Sequence, residues 1–445
     1  MLNLIILIVT LFFLLSFLIT RDILSPSCTI CLSYIIAGMS ASIISYISDF
    51  DYSLSGKTVY IVILGISIFV LVSNVIHLFI YRGKSSFHNE YYLDGPLYLK
   101  KNYILVLLFF QLTTLVLYVY YFYKGVGGFS FASFTTVMSQ FRAESYFDAS
   151  MEYIPFVVNQ MVKISMAITY VAIYILIYNQ IYFKKNKQKA NLDIWCIISV
   201  FLYIPTCILS GGRYYIIMIF LSGIFIWNTI YLLIYKKRIQ FRTILKLTIV
   251  IVLLLAFFSA TRTLVGRQSK TGFLEYVTSY MGYSIKSLDV FLASSQRNNT
   301  GIWGKEVFYG LNRILFKLDL VEPYKVYADF LYYHGKSLGN VYTAFRSQYF
   351  DFGMIGIIVL QSIEAIILTV WYEKILWKKN RKLNISLIIY SDLIVTVLMH
   401  SYSETFYSEL VSLGFPVLVF SLLLIRFVGN LSYIGGGKFR RRKEL

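Results

Sequence analysis

The amino-acid sequence predicts an all-α polytopic membrane protein with about 11 transmembrane helices and one large loop outside the membrane. Three observations predict it. Hydrophobic residues make up 58% of the 445-residue chain and charged residues 14%, with a mean hydropathy of +0.68; an average soluble domain carries roughly 25% charged residues. The apolar residues fall in runs long enough to cross a bilayer, which takes about 20 residues per helix. Lysine and arginine collect in alternate connections between those runs, as they do in cytoplasmic loops.

Taken in order, the runs are Leu2 to Thr20, Cys28 to Ile47, Thr58 to Tyr81, Tyr103 to Tyr123, Ile154 to Ile181, Ile194 to Leu209, Tyr214 to Tyr235, Ile244 to Ala260, Gly353 to Leu376, Ile385 to His400 and Leu410 to Val428. The first has no basic stretch before it and no small-residue cleavage site after it, so it reads as a retained helix. The basic connections hold Arg82, Lys84, Lys100 and Lys101, then Lys184 to Lys189, then Lys236 to Lys246, then Lys374 to Lys382, and last the tail Lys438 to Lys443. With Arg21 and Arg426 they hold 25 of the 41 basic residues. The intervening connections are poor in cations: one has Asp49, Asp51 and Lys57, and another sets Lys124 and Arg142 against Glu144, Asp148 and Glu152.

This alternation places the N-terminus outside, the C-terminus in the cytoplasm, and residues 261–352 outside as one long loop. Residues 1–260 then hold the first eight spans with short loops, and residues 353–445 the last three spans with a basic tail. The net charge of +19 is accounted for by this bias and by anionic inner-leaflet lipid, so no nucleic-acid partner is implied. Cys28, Cys31, Cys196 and Cys207 lie in or beside apolar runs. Cys28 and Cys31 have neither a strand-helix redox context nor a second pair to complete a zinc site, and read as packing residues. There is no nucleotide-binding loop, H-E-x-x-H or nucleophile elbow, so neither a cofactor nor a metal is expected.

The exterior loop carries eleven cations against seven acids. Long loops cross membranes largely regardless of charge, and the excess suggests an anionic ligand on the outer face. Within the loop, Leu274, Val277, Met281, Ile285, Leu288 and Leu292 recur at intervals of three and four and predict a helix over Phe273 to Ser294. Its opposite face presents Glu275, Ser279, Gly282, Lys286 and Asp289. A second amphipathic piece runs from Lys305 to Leu318. Tyrosines at Tyr324, Tyr327, Tyr332, Tyr333, Tyr342 and Tyr349 suit either a bilayer edge or stacking on sugar rings.

Candidate chemistry lies at the span ends. Ser210-Gly211-Gly212-Arg213 is a tight outer turn whose arginine sits where a helix starts with free N–H groups, an arrangement suited to phosphate. Arg262 and Arg267 leave the eighth span at the same level and Arg346 enters the ninth. Proton acceptors near this level are His400, Glu404, Asp289 and Glu275, with His334 in the main loop. Inside spans, Lys163, Glu364 and Asp392 should face the protein interior or each other.

Three short motifs resemble the oligosaccharide repeat-unit polymerases of bacterial surface polysaccharide assembly, the Wzy type. These are Ser210-Gly211-Gly212-Arg213 opening a span; Thr261-Arg262-Thr263 followed by the tyrosine-rich helix that bears Asp289; and Asn340-Val341-Tyr342-Thr343-Ala344-Phe345, running on through Tyr349-Phe350-Asp351-Phe352-Gly353 and Gly356. The resemblance implies a GT-C-like membrane glycosyltransferase of the bacterial cytoplasmic membrane that makes O-antigen or capsule. Its substrates would be undecaprenyl-pyrophosphate-linked oligosaccharides, and flippase and chain-length regulator proteins its partners. It further implies that Arg213, Arg262, Arg267 and Arg346 hold pyrophosphate, and that one of Asp289, Glu275, His334, His400 and Glu404 accepts the proton of the acceptor hydroxyl. The rival readings are a polysaccharide ligase, which shares the outer loop but uses another acceptor, and a flippase for the same lipid-linked units. A flippase should show related halves, and no internal repeat is visible.

Overall fold

Every apolar run that the structure describes is helical, because a backbone removed from water must satisfy its polar groups internally. The structure is a computed structural model that describes residues 1–82, 95–125, 134–147, 154–189, 193–210, 213–235, 252, 255–257, 259–262, 272–294, 296, 298, 300–322, 324, 330–377 and 383–429. In chain order the elements are α1 (Leu2–Thr20), α2 (Pro26–Ile47), α3 (Gly56–Arg82), α4 (Lys101–Gly125), α5 (Phe134–Phe147), α6 (Phe156–Lys185), α7 (Ile194–Leu209) and α8 (Tyr214–Tyr235). They continue as α9 (Phe273–Ala293), α10 (Tyr309–Lys317), β1 (Leu331–Tyr333), β2 (Lys336–Gly339), α11 (Ala344–Trp377), α12 (Ile385–Leu398), α13 (Phe406–Leu410) and α14 (Gly414–Val428).

Among the described residues, seven helices are long and apolar enough to cross a membrane: α1, α2, Gly56–Ile80 of α3, α4, α6, α8 and α11. The apolar helices α7, α12 and α14 are shorter, at 16, 14 and 15 residues. The expected run Ile244 to Ala260 lies mostly outside the described residues. Helix α1 shows what surrounds such helices. Leu4, Leu7, Leu11, Leu14, Leu15 and Leu18 form one stripe at helical spacing, each 46–71% exposed. In water such a stripe would be a sticky apolar patch; against lipid tails it is the ordinary outer face of a span.

The described chain forms two compact units. The first comprises Met1–Ser86, Ser269–Lys374 and Leu393–Leu413. In it α2 packs on α1, α3 and α9. Helix α9 follows the expected bounds, and its polar face is turned inward: Gly282 and Lys286 are buried on a helix that packs on α2 and α3, while Leu274 is 50% exposed. Glycine makes this possible, because a Cβ at Gly282 would stand 2.9 Å from the Ser40 carbonyl oxygen and 3.0 Å from the Ala41 nitrogen. Helices α3 and α11 lie side by side and run parallel. The Ser73 and Thr369 hydroxyls bond at 2.8 Å, and four residues further along both helices His77 Nδ1 meets Glu373.

Helix α11 is broken at Gly353, which has φ 67° and ψ −153°. Residues 344–352 and 354–377 are therefore separate helical pieces, joined by a conformation that L side chains rarely adopt. Strands β1 and β2 pair antiparallel, with Tyr333 opposite Lys336. Their two-residue turn, His334-Gly335, has positive φ at both positions, 47° and 75°, as a tight hairpin requires. The hairpin packs through Tyr333 and Leu338 onto Phe50 and Tyr283.

The second unit comprises Phe87–Gln268, Ile375–Asp392 and Gly414–Leu445. Gln111 of α4 donates to the Ser165 carbonyl at 3.2 Å, the Thr169 hydroxyl at 3.0 Å and the Ser199 carbonyl at 3.4 Å, tying α4 to α6 and α7. An aromatic cluster of Tyr118, Phe122 and Phe141 fills the space between α4 and α5. Asp392, an expected inward-facing acid, accepts the Tyr170 hydroxyl, and the Lys163 amine stands 4.9 Å above the Tyr215 ring.

Candidate functional site

The first unit gathers a polar network where the chain leaves α12. Helix α12 ends at Leu398, and the next turn is closed by Tyr402 N–H donating to the Met399 carbonyl at 2.8 Å. Ser401 N–H is held by the Ser33 hydroxyl of α2 at 3.0 Å. This fixes His400 pointing inward. Gln361 Nε2 approaches His400 Nε2 at 2.9 Å, and Tyr34 Oη approaches Nδ1 at 2.9 Å. With the amide donating to Nε2, the imidazole is neutral and carries its proton on Nδ1, donating to Tyr34. The Phe345 and Tyr34 rings flank it, with centroids 4.8 and 5.8 Å away.

Glu404 joins the same network. Its Oε1 accepts Tyr407 N–H at 2.9 Å and so caps the start of α13, and its Oε2 accepts Gln348 Nε2 at 3.1 Å. The Gln348 carbonyl oxygen in turn accepts from Gln361 at 3.1 Å, and Gln361 also donates to Glu364 at 3.4 Å. Gln348, Gln361, Glu364 and Tyr34 are 0% exposed, His400 2% and Glu404 8%. Burial pushes the Glu404 carboxyl up to about 7, against the lowering effect of the Tyr407 N–H and Gln348 bonds. A carboxyl poised near neutrality is suited to taking and returning a proton.

Of the five expected proton acceptors, His400 and Glu404 are thus brought together. Asp289 is engaged elsewhere in the unit, as an acceptor for Ser55, Thr58 and Lys286. Glu275 lies in the first turn of α9, half-buried, and His334 is exposed at the tip of the hairpin.

Arg346, from the first piece of α11, also belongs to the first unit. Its guanidinium pairs with Glu306 and stands 4.8, 4.7 and 5.4 Å from the ring centres of Phe291, Tyr342 and Phe350. Five residues on, Asp351 pins the loop that supplies Glu306, accepting the backbone N–H groups of Glu306 and Val307 at 2.9 and 2.8 Å. Arg213 and Arg262 belong to the second unit. Arg213 is buried, 5% exposed, where α8 begins, and its carbonyl accepts Ile217 N–H at 3.3 Å. Arg262 is half-buried in a turn, its N–H donating to the Ser259 carbonyl at 3.1 Å. Arg267, Thr263, Gly211 and Gly212 lie outside the described residues. Among the described residues no cluster of three or more His, Cys, Asp or Glu could hold a metal ion.

The sequence reading missed Gln348, Gln361 and Tyr34. A signal for one of them was present: Gln361 lies three residues before Glu364 in a largely apolar run and shares its helix face. The fold and this network define an all-α polytopic membrane protein with buried titratable groups. Comparison with protein-family models, curated proteins and solved structures finds no match to the chain.

Proposed function

We propose that the protein is a Wzy-type polymerase of undecaprenyl-pyrophosphate-linked oligosaccharide repeat units, a GT-C-like glycosyltransferase acting on the outer face of a bacterial cytoplasmic membrane. The observation that carries the reading is the buried network that joins the carboxyl of Glu404 to His400 through Gln348 and Gln361. Of the network's groups Glu404 is the least enclosed, 8% exposed against 0–2% for the others, and so it is assigned to meet the substrate.

In this mechanism a hydroxyl of the acceptor unit attacks the anomeric carbon of the donor chain. The bond from that carbon to the pyrophosphate oxygen breaks, and the lipid pyrophosphate leaves with the electron pair. The hydroxyl proton passes to Glu404, whose protonated form is stabilised by its apolar surroundings. His400 and Gln348 hold the carboxyl's neighbourhood in place. Arg346, in the same unit as Glu404, contacts pyrophosphate oxygens. Charge placed where charge develops lowers the barrier.

The test is to incubate the protein in liposomes with intact lipid-pyrophosphate-linked repeat units of its own host and resolve the products by size. A ladder of multiples of the repeat, lost in Glu404→Gln, supports the reading. Transfer of finished chains to an acceptor other than a lipid-linked unit would establish the ligase instead. One observation favours the flippase, namely an acidic side chain, Glu364, buried within a span; movement of single units across the liposome without growth would establish it.

A further inference from the structure

Glu364 lies about 16 Å along α11 from the break at Gly353, at ~1.5 Å per residue, well inside a helix long and apolar enough to cross a membrane. It is 0% exposed. Its Oε2 accepts a bond from Gln361 at 3.4 Å, while its Oε1 and the neighbouring Gln361 Oε1 have no hydrogen-bond partner among the described residues. The groups facing it are Gln361 of its own helix, Glu404 and Tyr407 at the start of α13, and Tyr34 of α2. Next in the network come Gln348 and His400. None of these is a fixed cation. Arg346 of the same helix is paired with Glu306.

A carboxylate buried among apolar helices cannot stay ionised without a compensating charge. Here two acids share one network and no lysine or arginine among the described residues pairs with either. Two oxygens without partners, one from a carboxyl and one from an amide, are the donors that a hard cation takes. We propose that Glu364 and the Gln361 carbonyl oxygen form a binding site for one small monovalent cation, a proton or a sodium ion, that the protein takes up and releases in its working cycle. The site does not rest on the polymerase reading, since a transferase and a flippase could each use it.

The test is carbodiimide labelling of the full-length protein in detergent, with mass spectrometry of the peptide that contains Glu364. Hydrophobic carbodiimides add to protonated carboxyls in apolar surroundings. The expected result is label on Glu364 that falls about tenfold for each pH unit above the site's midpoint, as one titrating proton requires. Protection by sodium chloride but not by potassium or choline chloride identifies sodium as a ligand; protection by none of them identifies the proton alone. Label independent of both pH and salt overturns the proposal. The second measurement is thermal unfolding against pH and sodium. Glu364→Gln, which keeps the shape but takes no cation, must lose a dependence that the unaltered protein shows, and identical profiles for the two proteins also overturn the site. Neither readout requires polymer to be made.

Discussion

Lys286 and Asp289, one turn apart on α9, meet at 3.2 Å and both spend their charge on the chain that enters α3. Lys286 donates to the Ser53 carbonyl, and its amine lies 4.2 Å from the Tyr333 ring centre. Asp289 Oδ1 accepts Ser55 N–H at 2.8 Å, the Ser55 hydroxyl at 2.7 Å and the Thr58 hydroxyl at 2.6 Å. An anion at the start of a helix is stabilised by the free N–H groups there, so the pair clamps α9 to α3.

Replacing Asp289 with asparagine should therefore cost stability, on the order of 1–2 kcal/mol for a cap of this kind. Partial burial alone would raise its pKa, but the bonds from Thr58, Ser55 and Lys286 outweigh it and hold the carboxyl below its ordinary value. A depressed carboxyl contributes stability above its unfolded pKa of about 3.9 and loses it as pH falls through the folded value. The gap in unfolding temperature between Asp289→Asn and the unaltered protein should be widest near neutrality and close in acid. Turnover per folded molecule should be unchanged; a lost ladder with intact stability would make Asp289 a proton acceptor after all.

Glu404 has the opposite sign. Its carboxyl is raised by burial to about 7, from an ordinary 4.5, so its contribution is complete below pH 4.5 and is lost as pH rises through about 7. Thermal unfolding should show a fall in stability across that interval, and Glu404→Gln should flatten it. In the polymerase assay the same variant should reduce turnover by about a hundredfold or more, the usual scale of a lost general base. A variant that keeps both the slope and the ladder would remove Glu404 from its assigned role.

Gly282→Ala tests the close approach of α9 and α2. The added methyl meets backbone atoms at 2.9 and 3.0 Å, which cannot rotate away, and the expected cost is about 1–3 kcal/mol of overpacking. Gly272→Ala, just before the same helix, meets nothing within 4 Å and should leave the unfolding temperature near that of the unaltered protein. Equal behaviour of the two variants would mean that the helices stand further apart.

Arg346→Lys keeps the charge but removes the flat group set among Phe291, Tyr342 and Phe350. Each such contact is worth about 0.5–2 kcal/mol, and a lysine cannot reproduce the fork. The variant should be less stable and should bind lipid-linked units more weakly, read as a raised KM in the polymerase assay. Recovery of full stability and KM by lysine would reduce Arg346 to a point charge.

Much of the helical layout was legible in the sequence because a span advertises itself by length and composition, as Leu2–Thr20 and Phe156–Lys185 do. The facing of α9 was left open between two arrangements. Its leucine spacing marks one apolar face, but burial in the middle of the helix runs all round, from Gly282 to Leu288, because a glycine and a self-paired lysine pack as readily as leucine. His400 and Glu404 could be named from the sequence as acceptors. Their joining through Gln348 and Gln361 could not, since it depends on a pairing between chain segments dozens of residues apart that no local pattern encodes.

His400 holds both pieces of the broken helix at once. Its backbone carbonyl accepts the N–H of Ala344 at 2.9 Å, before the break at Gly353, and its ring meets Gln361 beyond it. The residue works as a brace across the break at Gly353. Replacing the imidazole removes its contact with Gln361, beyond the break, and leaves the backbone bond to Ala344, before it, in place. One residue thus fastens both halves of a helix, the nearer half through its main chain and the farther half through its ring.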